Sequence, residues 1–226
     1  MQLVGVEAWT LELRGRLPLE AARRQVAGLS LLERDGEAEL DLLVFGMTGL
    51  HVRGVPWPRF SYREALWRIG VRLHGEPAWF GHTCDLDRPL VSALGRVMVR
   101  YPVRRAAIER EGGGEEGGEG SEPAWRISIE AGAGLRITAR PTAQAPPPVP
   151  PRPIVVGAQR RCFRIPWRED PAPYRRRAEI DVAHDALSEA TLGAPVRWDS
   201  HGLLHRGRVH RCGIARPLRG DGSLGE

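Results

Sequence analysis

The stretch SYREALWRIGVRL, residues 61–73, carries the clearest structural pattern of the sequence and decides how the rest is interpreted. Its apolar side chains recur at every second position, at Ala65, Trp67, Ile69 and Val71. Because successive side chains of a β-strand point to opposite faces, this alternation predicts a strand with one face packed in a core. The opposite face then carries the intervening residues, Glu64, Leu66, Arg68, Gly70 and Arg72.

Glu64 and Arg68 are the charged pair of this predicted strand. They lie four residues apart, so their side chains leave the same face within reach of each other. One interpretation is a surface ion pair, which contributes little to stability. The other is a pair of polar groups that face an internal cavity. The alternation alone favours the surface ion pair.

Outward from this strand, most of the chain is predicted to be β. Residues 78–84, AWFGHTC, follow the turn sequence HGEP and predict a hairpin partner. Further strands are predicted at 4–13, 38–47 and 103–109, in a hairpin over 125–140, and in several runs between 154 and 219. Helical spacing is found at 17–28 and 88–99. About ten strands with two helices predict a mainly antiparallel sandwich or barrel.

Two segments differ in composition from the rest of a predicted single domain, residues 1–226. Residues 109–123 are rich in glycine and glutamate and predict a flexible acidic loop. Residues 141–153 are rich in proline and predict an extended connector. Either segment is also compatible with a role in binding a partner protein.

The composition excludes several classes of function. The 33 basic residues counted as Lys+Arg are all arginine, so no lysine amine is available for chemistry. The net charge of +5 is spread over short arginine clusters and 28 acidic residues, which argues against a nucleic-acid partner. Three widely spaced cysteines do not form a disulfide framework and favour a reduced, cytoplasmic setting. We expect neither a signal peptide nor a membrane span.

The motifs in and after the 61–73 strand resemble those of the acetoacetate decarboxylase-like superfamily. Its decarboxylases carry a Y-x-E element, a hairpin, a G-R-x-x-x-x-Y-P turn and two adjacent lysines, in that order. Here the Y-x-E element is matched by Tyr62 and Glu64. The turn falls within LGRVMVRYPVRRAAI, residues 94–108, and is matched by Gly95, Arg96, Tyr101 and Pro102.

The sequence looks closest to an uncharacterised bacterial branch of that superfamily, a domain of unknown function. The branch typically shows an E-x-N-x-R strand, which Glu64 and Arg68 match while Leu66 replaces the asparagine. Residues 207–218, GRVHRCGIARPL, resemble its closing strand. The resemblance implies a mainly β (α+β) fold with a few short helices, in which a cone-like antiparallel β barrel surrounds a cavity.

The resemblance also implies where chemistry would take place. In the decarboxylases the first lysine after Tyr-Pro forms a Schiff base with the substrate, and its neighbour lowers the pKa of its amine. These positions are Val103 and Arg104 here, and neither side chain can form an imine. Schiff-base decarboxylase activity is therefore predicted to be absent. Arg104 would supply a fixed positive charge to the cavity, or it would pair with Glu64 or another acidic neighbour as a structural group.

The histidines give no standard metal motif. His201, His205, His210 and Cys212 lie close together in sequence, but their spacing matches no known zinc site. We predict no metal and no cofactor.

Three hypotheses follow for the function. The first is a protein that binds a small anionic organic molecule in the barrel cavity. The polar groups of that cavity would be Glu64, Arg68, Arg104, Tyr62, His82 and Tyr101. The second is a lysine-independent lyase or hydratase with Glu64 as its acid/base group. The third is an interaction module with a filled barrel. Exposed sheet edges would also be compatible with a homo-oligomer.

Overall fold

The computed structural model describes residues 2–26, 28–55, 58–100, 102–113, 122–142, 152–158, 161–170 and 172–218. The first strands in chain order are β1 (Gln2–Pro18), β2 (Ser30–Leu31), β3 (Glu33–Arg34), β4 (Glu37–Val52), β5 (Phe60–Leu73), β6 (Glu76–Leu86), β7 (Val103–Arg105) and β8 (Ala107–Glu111). The later ones are β9 (Trp125–Glu130), β10 (Gly134–Pro141), β11 (Ile154–Ala158), β12 (Arg161–Ile165), β13 (Trp167–Glu169), β14 (Tyr174–Asp185), β15 (Arg197–Arg206), β16 (Arg208–Gly213) and β17 (Arg216–Pro217).

Short helices connect some of these strands. The α-helices found in the described ranges are α1 (Leu19–Gln25), α2 (Pro89–Leu94) and α3 (Ala186–Leu192). A single π-helical turn, Gly95–Val99, continues α2. The predicted helix at 17–28 is shorter than expected because β1 extends to Pro18, and the α-helical part of 88–99 ends at Leu94, where the π-helical turn begins. No helix in the described ranges is both long and apolar enough to cross a membrane.

Four long strands form the centre of the sheet, in the order β1–β4–β5–β6, and all are antiparallel neighbours. The edge of β1 away from β4 pairs with β16 along its first half and with β15 along its second half. The edge of β6 away from β5 pairs in parallel with β11 and with β7. The sheet is therefore mixed, whereas the sequence suggested an antiparallel one.

Both faces of this central sheet are buried, because apolar side chains leave it in both directions. The first cluster lies on one face and includes Trp9, Leu11, Leu42, Ala65, Trp67 and Ile69. The second cluster lies on the other face and includes Leu43, Phe45, Met47, Leu66, Cys84 and Cys212. Strands β8, β9, β10 and β14 contribute to the first cluster, and β11, β12 and β16 contribute to the second.

The predicted mainly β class with a few short helices is confirmed. The sheet is not closed into a regular barrel over the residues that the structure describes. Strand β7 pairs with β6 and β8 pairs with β9, while Ala106 interrupts the strand between them. The predicted acidic loop begins later than expected, because β8 extends to Glu111. Most of that loop and of the 141–153 connector lies outside the described residues.

Candidate functional site

The alternation of β5 gives its two faces different surroundings. Trp67 packs in the first cluster and Leu66 packs in the second. Glu64 and Arg68 lie on the same face as Leu66, and only 8% and 7% of their surfaces are exposed. A surface ion pair between them is therefore not what the structure contains. Glu64 faces Phe45 in the register of β4, and Arg68 faces Asp41.

Glu64 is a buried carboxyl group that titrates near neutral pH. Burial is the largest effect and raises the pKa of Glu64 to about 7, although hydrogen bonds from Cys84 and Tyr62 act to lower it. The charges of Glu7 and Asp85 raise the pKa further. A carboxyl group with a pKa in this range can donate or accept a proton under physiological conditions.

The two groups that bond to Glu64 remain protonated. Burial, followed by the charge of Glu64, raises the pKa of the Tyr62 hydroxyl and of the Cys84 thiol well above their usual values. Both groups therefore act as hydrogen-bond donors to the carboxylate form of Glu64. Burial also raises the pKa of Cys212 to about 12, and the charge of Glu64 contributes. None of these side chains is a ready nucleophile, since a buried thiol must ionise to react.

Strand β7 places Val103, and not Arg104, on the side of Glu64. Val103 packs against the second cluster beside Cys84, its register partner in β6. Arg104 Nε and Nη2 donate to the Asp85 carboxylate at 2.6 and 2.9 Å, and Nη2 also donates to the Thr191 hydroxyl at 2.8 Å. Asp85 is fully buried. The Arg104 guanidinium therefore does not supply a free positive charge to a cavity. It pairs with an acidic neighbour, Asp85, which is the second of the two roles considered for it.

Arg68 is also held by a partner within the protein. Its Nε donates to Asp41 Oδ2 at 2.7 Å, and its Nη2 donates to the same oxygen. The guanidinium lies 5.3 Å from the centre of the Trp79 ring. Burial raises the pKa of Asp41 to about 6, because the loss of hydration outweighs the attraction of Arg68.

A second arginine on this face, Arg208, was not identified from the sequence. Arg208 is 8% exposed, and its Nε and Nη1 donate to Glu7 and Glu169, both at 2.7 Å. Glu7 also pairs with His210. Burial is the largest single effect on Glu7, but His210 and Arg208 together outweigh it and lower the pKa of Glu7 to about 2. The sequence signal that could have identified Arg208 is its position two residues before His210 and four before Cys212, which places all three side chains on one face of β16.

The other predicted site residues are dispersed. His82 lies with Arg104, and its Nε2 is 3.2 Å from the carbonyl oxygen of Thr191. Burial lowers the pKa of His82, so its ring is neutral near pH 7. Tyr101 lies outside the described residues. Glu64 and Tyr62 are therefore brought together, Arg68 shares their face, and His82 and Arg104 do not join them.

The histidines of the 201–212 region take separate places. The ring of His210 stacks on Phe45 with 6.2 Å between ring centres. His205 Nε2 lies 3.8 Å from Glu12 Oε2. Within the described ranges, no group of three or more His, Cys, Asp or Glu side chains is arranged to hold a metal ion.

A surface cleft of about 280 Å³ opens beside β1, β4 and β5. It is lined by Ala8, Trp9, Gly46, Met47, Thr48, Ser61, Tyr62, Arg63, Asp87 and Arg88. Met47 and Tyr62 connect this cleft to the second cluster, while Trp9 belongs to the first. The cleft adjoins the Glu64 region without including Glu64 itself.

Solved structures with similar folds are found over nearly the whole chain. An acetoacetate decarboxylase-like enzyme from Sphingomonas wittichii RW1 superimposes with a TM-score of 0.71 at 17% identity, covering 96% of this chain and 92% of that one. The chain has the acetoacetate decarboxylase-like fold. Acetoacetate decarboxylase from Legionella pneumophila gives a TM-score of 0.67 at 11% identity, with coverages of 97% and 88%.

The same fold occurs in MppR, an enzyme of enduracididine biosynthesis. Its complex with pyruvate superimposes with a TM-score of 0.67 at 16% identity, covering 96% of this chain and 89% of that one. MppR has also been solved with the condensation product of pyruvate and imidazole 4-carboxaldehyde. No family model and no curated protein matches the sequence. The comparisons therefore show the fold.

Proposed function

We propose that this protein binds a small organic acid on the Glu64 face of its central sheet, without forming a Schiff base. The observation that carries the proposal is the buried Glu64 carboxyl, whose pKa of about 7 lets it remain partly protonated at neutral pH. The protonated form can donate a hydrogen bond to an oxygen of a bound carboxylate. Pyruvate bound to MppR, a protein of the same fold, supports this class of ligand.

The side chains that are present support the lack of a Schiff base. The 226 residues contain no lysine, and Val103 packs where the resemblance places the reactive amine. A valine offers no nucleophile. Binding must therefore depend on hydrogen bonds and charge rather than on a covalent bond.

Ligand-dependent thermal unfolding tests the binding. Pyruvate, acetoacetate, lactate and benzoate would be added at pH 6 and pH 8, with pyruvamide as an uncharged control. A ligand present at about 100 times its dissociation constant adds roughly 2.7 kcal/mol of stability. We expect at least one carboxylate to raise the melting temperature, and to do so more strongly at pH 6, where Glu64 is protonated. The absence of any shift at both pH values would refute the proposal.

A covalent trap tests the absence of a Schiff base. Borohydride reduction in the presence of pyruvate should leave the wild-type mass unchanged, whereas Val103→Lys should gain the mass of a reduced adduct. Burial would lower the pKa of the new amine and favour its neutral, reactive form. A wild-type adduct would contradict the non-covalent mode, and an unmodified Val103→Lys protein would show that pyruvate does not reach position 103.

The pKa of Glu64 also favours a second candidate function. A carboxyl group poised near pH 7 is suited to general acid/base catalysis, as in a lyase or hydratase. Exchange of the pyruvate methyl protons in deuterated water would report proton abstraction. Exchange in wild type that is lost in Glu64→Gln would establish an enzyme, and binding without exchange would leave a binding protein.

A further inference from the structure

Arg208 is held at a fixed position by the strands on both sides of it. Strand β16 lies between β1 and β13, with Glu7 opposite Arg208 on β1 and Glu169 opposite His210 on β13. The preceding residue, Gly207, has a φ of 73° and donates its backbone N–H to the carbonyl oxygen of Glu7 at 2.8 Å. This turn, which glycine adopts without strain, sets Arg208 directly beside Glu7.

The guanidinium of Arg208 has one donor group left over. Nε is used by Glu7 and Nη1 by Glu169. Nη2 is buried and has no hydrogen-bond partner among the described residues. Buried guanidinium donors are normally paired, because an unpaired one has lost its hydration without compensation. An oxygen atom supplied by a ligand would satisfy it.

Arg208 and Glu64 belong to the same interior. Glu7, which bonds to Arg208, is close enough to Glu64 for its charge to raise the pKa of that carboxyl. His210, next on the same face of β16, stacks on Phe45, which is the register partner of Glu64 in β4. The free Nη2 group is therefore a donor on the face where the proposed ligand would lie.

The other arginines considered for this role are already engaged. Arg104 donates to Asp85 and Thr191 from the far side of β7. Arg68 directs both Nε and Nη2 to Asp41. Of the two arginines that are buried in the described part of the chain, only Arg208 has a buried donor without a partner.

We propose that Nη2 of Arg208 is the anchor for the carboxylate of the bound acid, and that the acid is taken up together with one proton, which Glu64 receives. This deepens the proposed function and rests on it. The proton is needed because the carboxylates of Glu7 and Glu169 already outnumber the single positive charge of Arg208, so that a further anion would add negative charge to a buried site. Protonation of Glu64 offsets the charge of the added anion. The ligand class is a monocarboxylate.

Calorimetric titration with pyruvate measures both parts of the proposal. At pH 8 Glu64 is mostly ionised, so binding to wild type should take up close to one proton, seen as a difference in heat between phosphate and Tris buffers. Glu64→Gln should bind pyruvate with no proton uptake. Uptake of no proton by wild type would overturn the coupling, and this measurement requires no arginine variant to fold.

The anchor is tested with Arg208→Lys, which keeps a positive charge beside Glu7 but lacks the forked donor. Its affinity for pyruvate should fall by about tenfold or more. Arg211→Lys is the matched control, because Arg211 is on the same strand and bonds to Asp170 instead, at 2.6 and 2.7 Å. Equal affinity in the two variants would overturn the anchor. If wild type binds none of the carboxylates of the thermal assay, the proposed function fails first, which is a separate result.

Discussion

At the scale of single residues, Arg104 shows how a partner determines the role of a charged side chain. Its guanidinium satisfies the fully buried Asp85 carboxylate with two hydrogen bonds. In Arg104→Ala the side-chain donor to Asp85 that remains among the described residues is the Trp67 indole N–H, at 2.9 Å. We expect a loss of roughly 2–3 kcal/mol in the free energy of unfolding, measured by urea denaturation, because a buried charge is left without its counter-ion.

The neighbouring arginine provides the control for this prediction. Arg105 is exposed, so Arg105→Ala should change the free energy of unfolding by no more than about 0.5 kcal/mol. If the two substitutions prove equally mild, the pair of Arg104 with Asp85 is not a stabilising contact.

Glu64 should make the stability depend on pH with a sign opposite to that of most carboxyl groups. Its pKa is raised from 4.5 to about 7 on folding, so the folded state holds a proton that the unfolded state has released. Stability is therefore lost as pH rises through this range, by roughly 3 kcal/mol in total. Relative to wild type, Glu64→Gln should gain stability between pH 5 and pH 8 in urea titrations. A constant difference between the two proteins would contradict the raised pKa.

At the scale of elements, β1 and β4 approach each other closely at one glycine. Gly46 faces Trp9 in the register, and a Cβ atom at Gly46 would overlap the Trp9 indole ring. Gly46→Ala should cost about 1–3 kcal/mol through overpacking, and should shift the tryptophan emission to longer wavelength as Trp9 is displaced. In a Trp9→Phe background the same substitution should cost less, because the smaller ring relieves the overlap. An equal cost in both backgrounds would show that Trp9 is not the group displaced.

The strands also show how far the sequence could be interpreted. The alternation of residues 61–73 predicted β5, its two faces and the shared side of Glu64 and Arg68, because that information is local to one strand. In β7, Val103 and Arg104 point to opposite faces, but the sequence could not say which of the two shares the side of Glu64. That depends on the pairing of β7 with β6.

Arg208 and Glu7 could not have been connected from the sequence. They are 201 positions apart and meet only because β16 pairs with the first half of β1. No local pattern specifies that pairing. Long-range register therefore accounts for the part of the candidate site that sequence reasoning missed.

At the scale of the whole molecule, the two clusters share strands β1, β4, β5 and β6 and should unfold together. Cys84 and Cys212 report on the second cluster, and Trp67 and Trp125 report on the first in a Trp79→Phe background, because Trp79 belongs to the second. We expect thiol labelling of these two cysteines and tryptophan fluorescence to give the same urea midpoint, as a two-state transition requires. Cys162, which is partly exposed, should react before unfolding. Separate midpoints would mean that the halves are independent.

The central sheet with two buried faces also separates two kinds of substitution. On β5 the residues that pack in the first cluster alternate one by one with residues on the opposite face, which carries Glu64. A substitution at an even-numbered position between 64 and 68 leaves the side chains of the other face in place. The polar groups on one face of β5 can therefore change while the packing of the first cluster on its other face is kept.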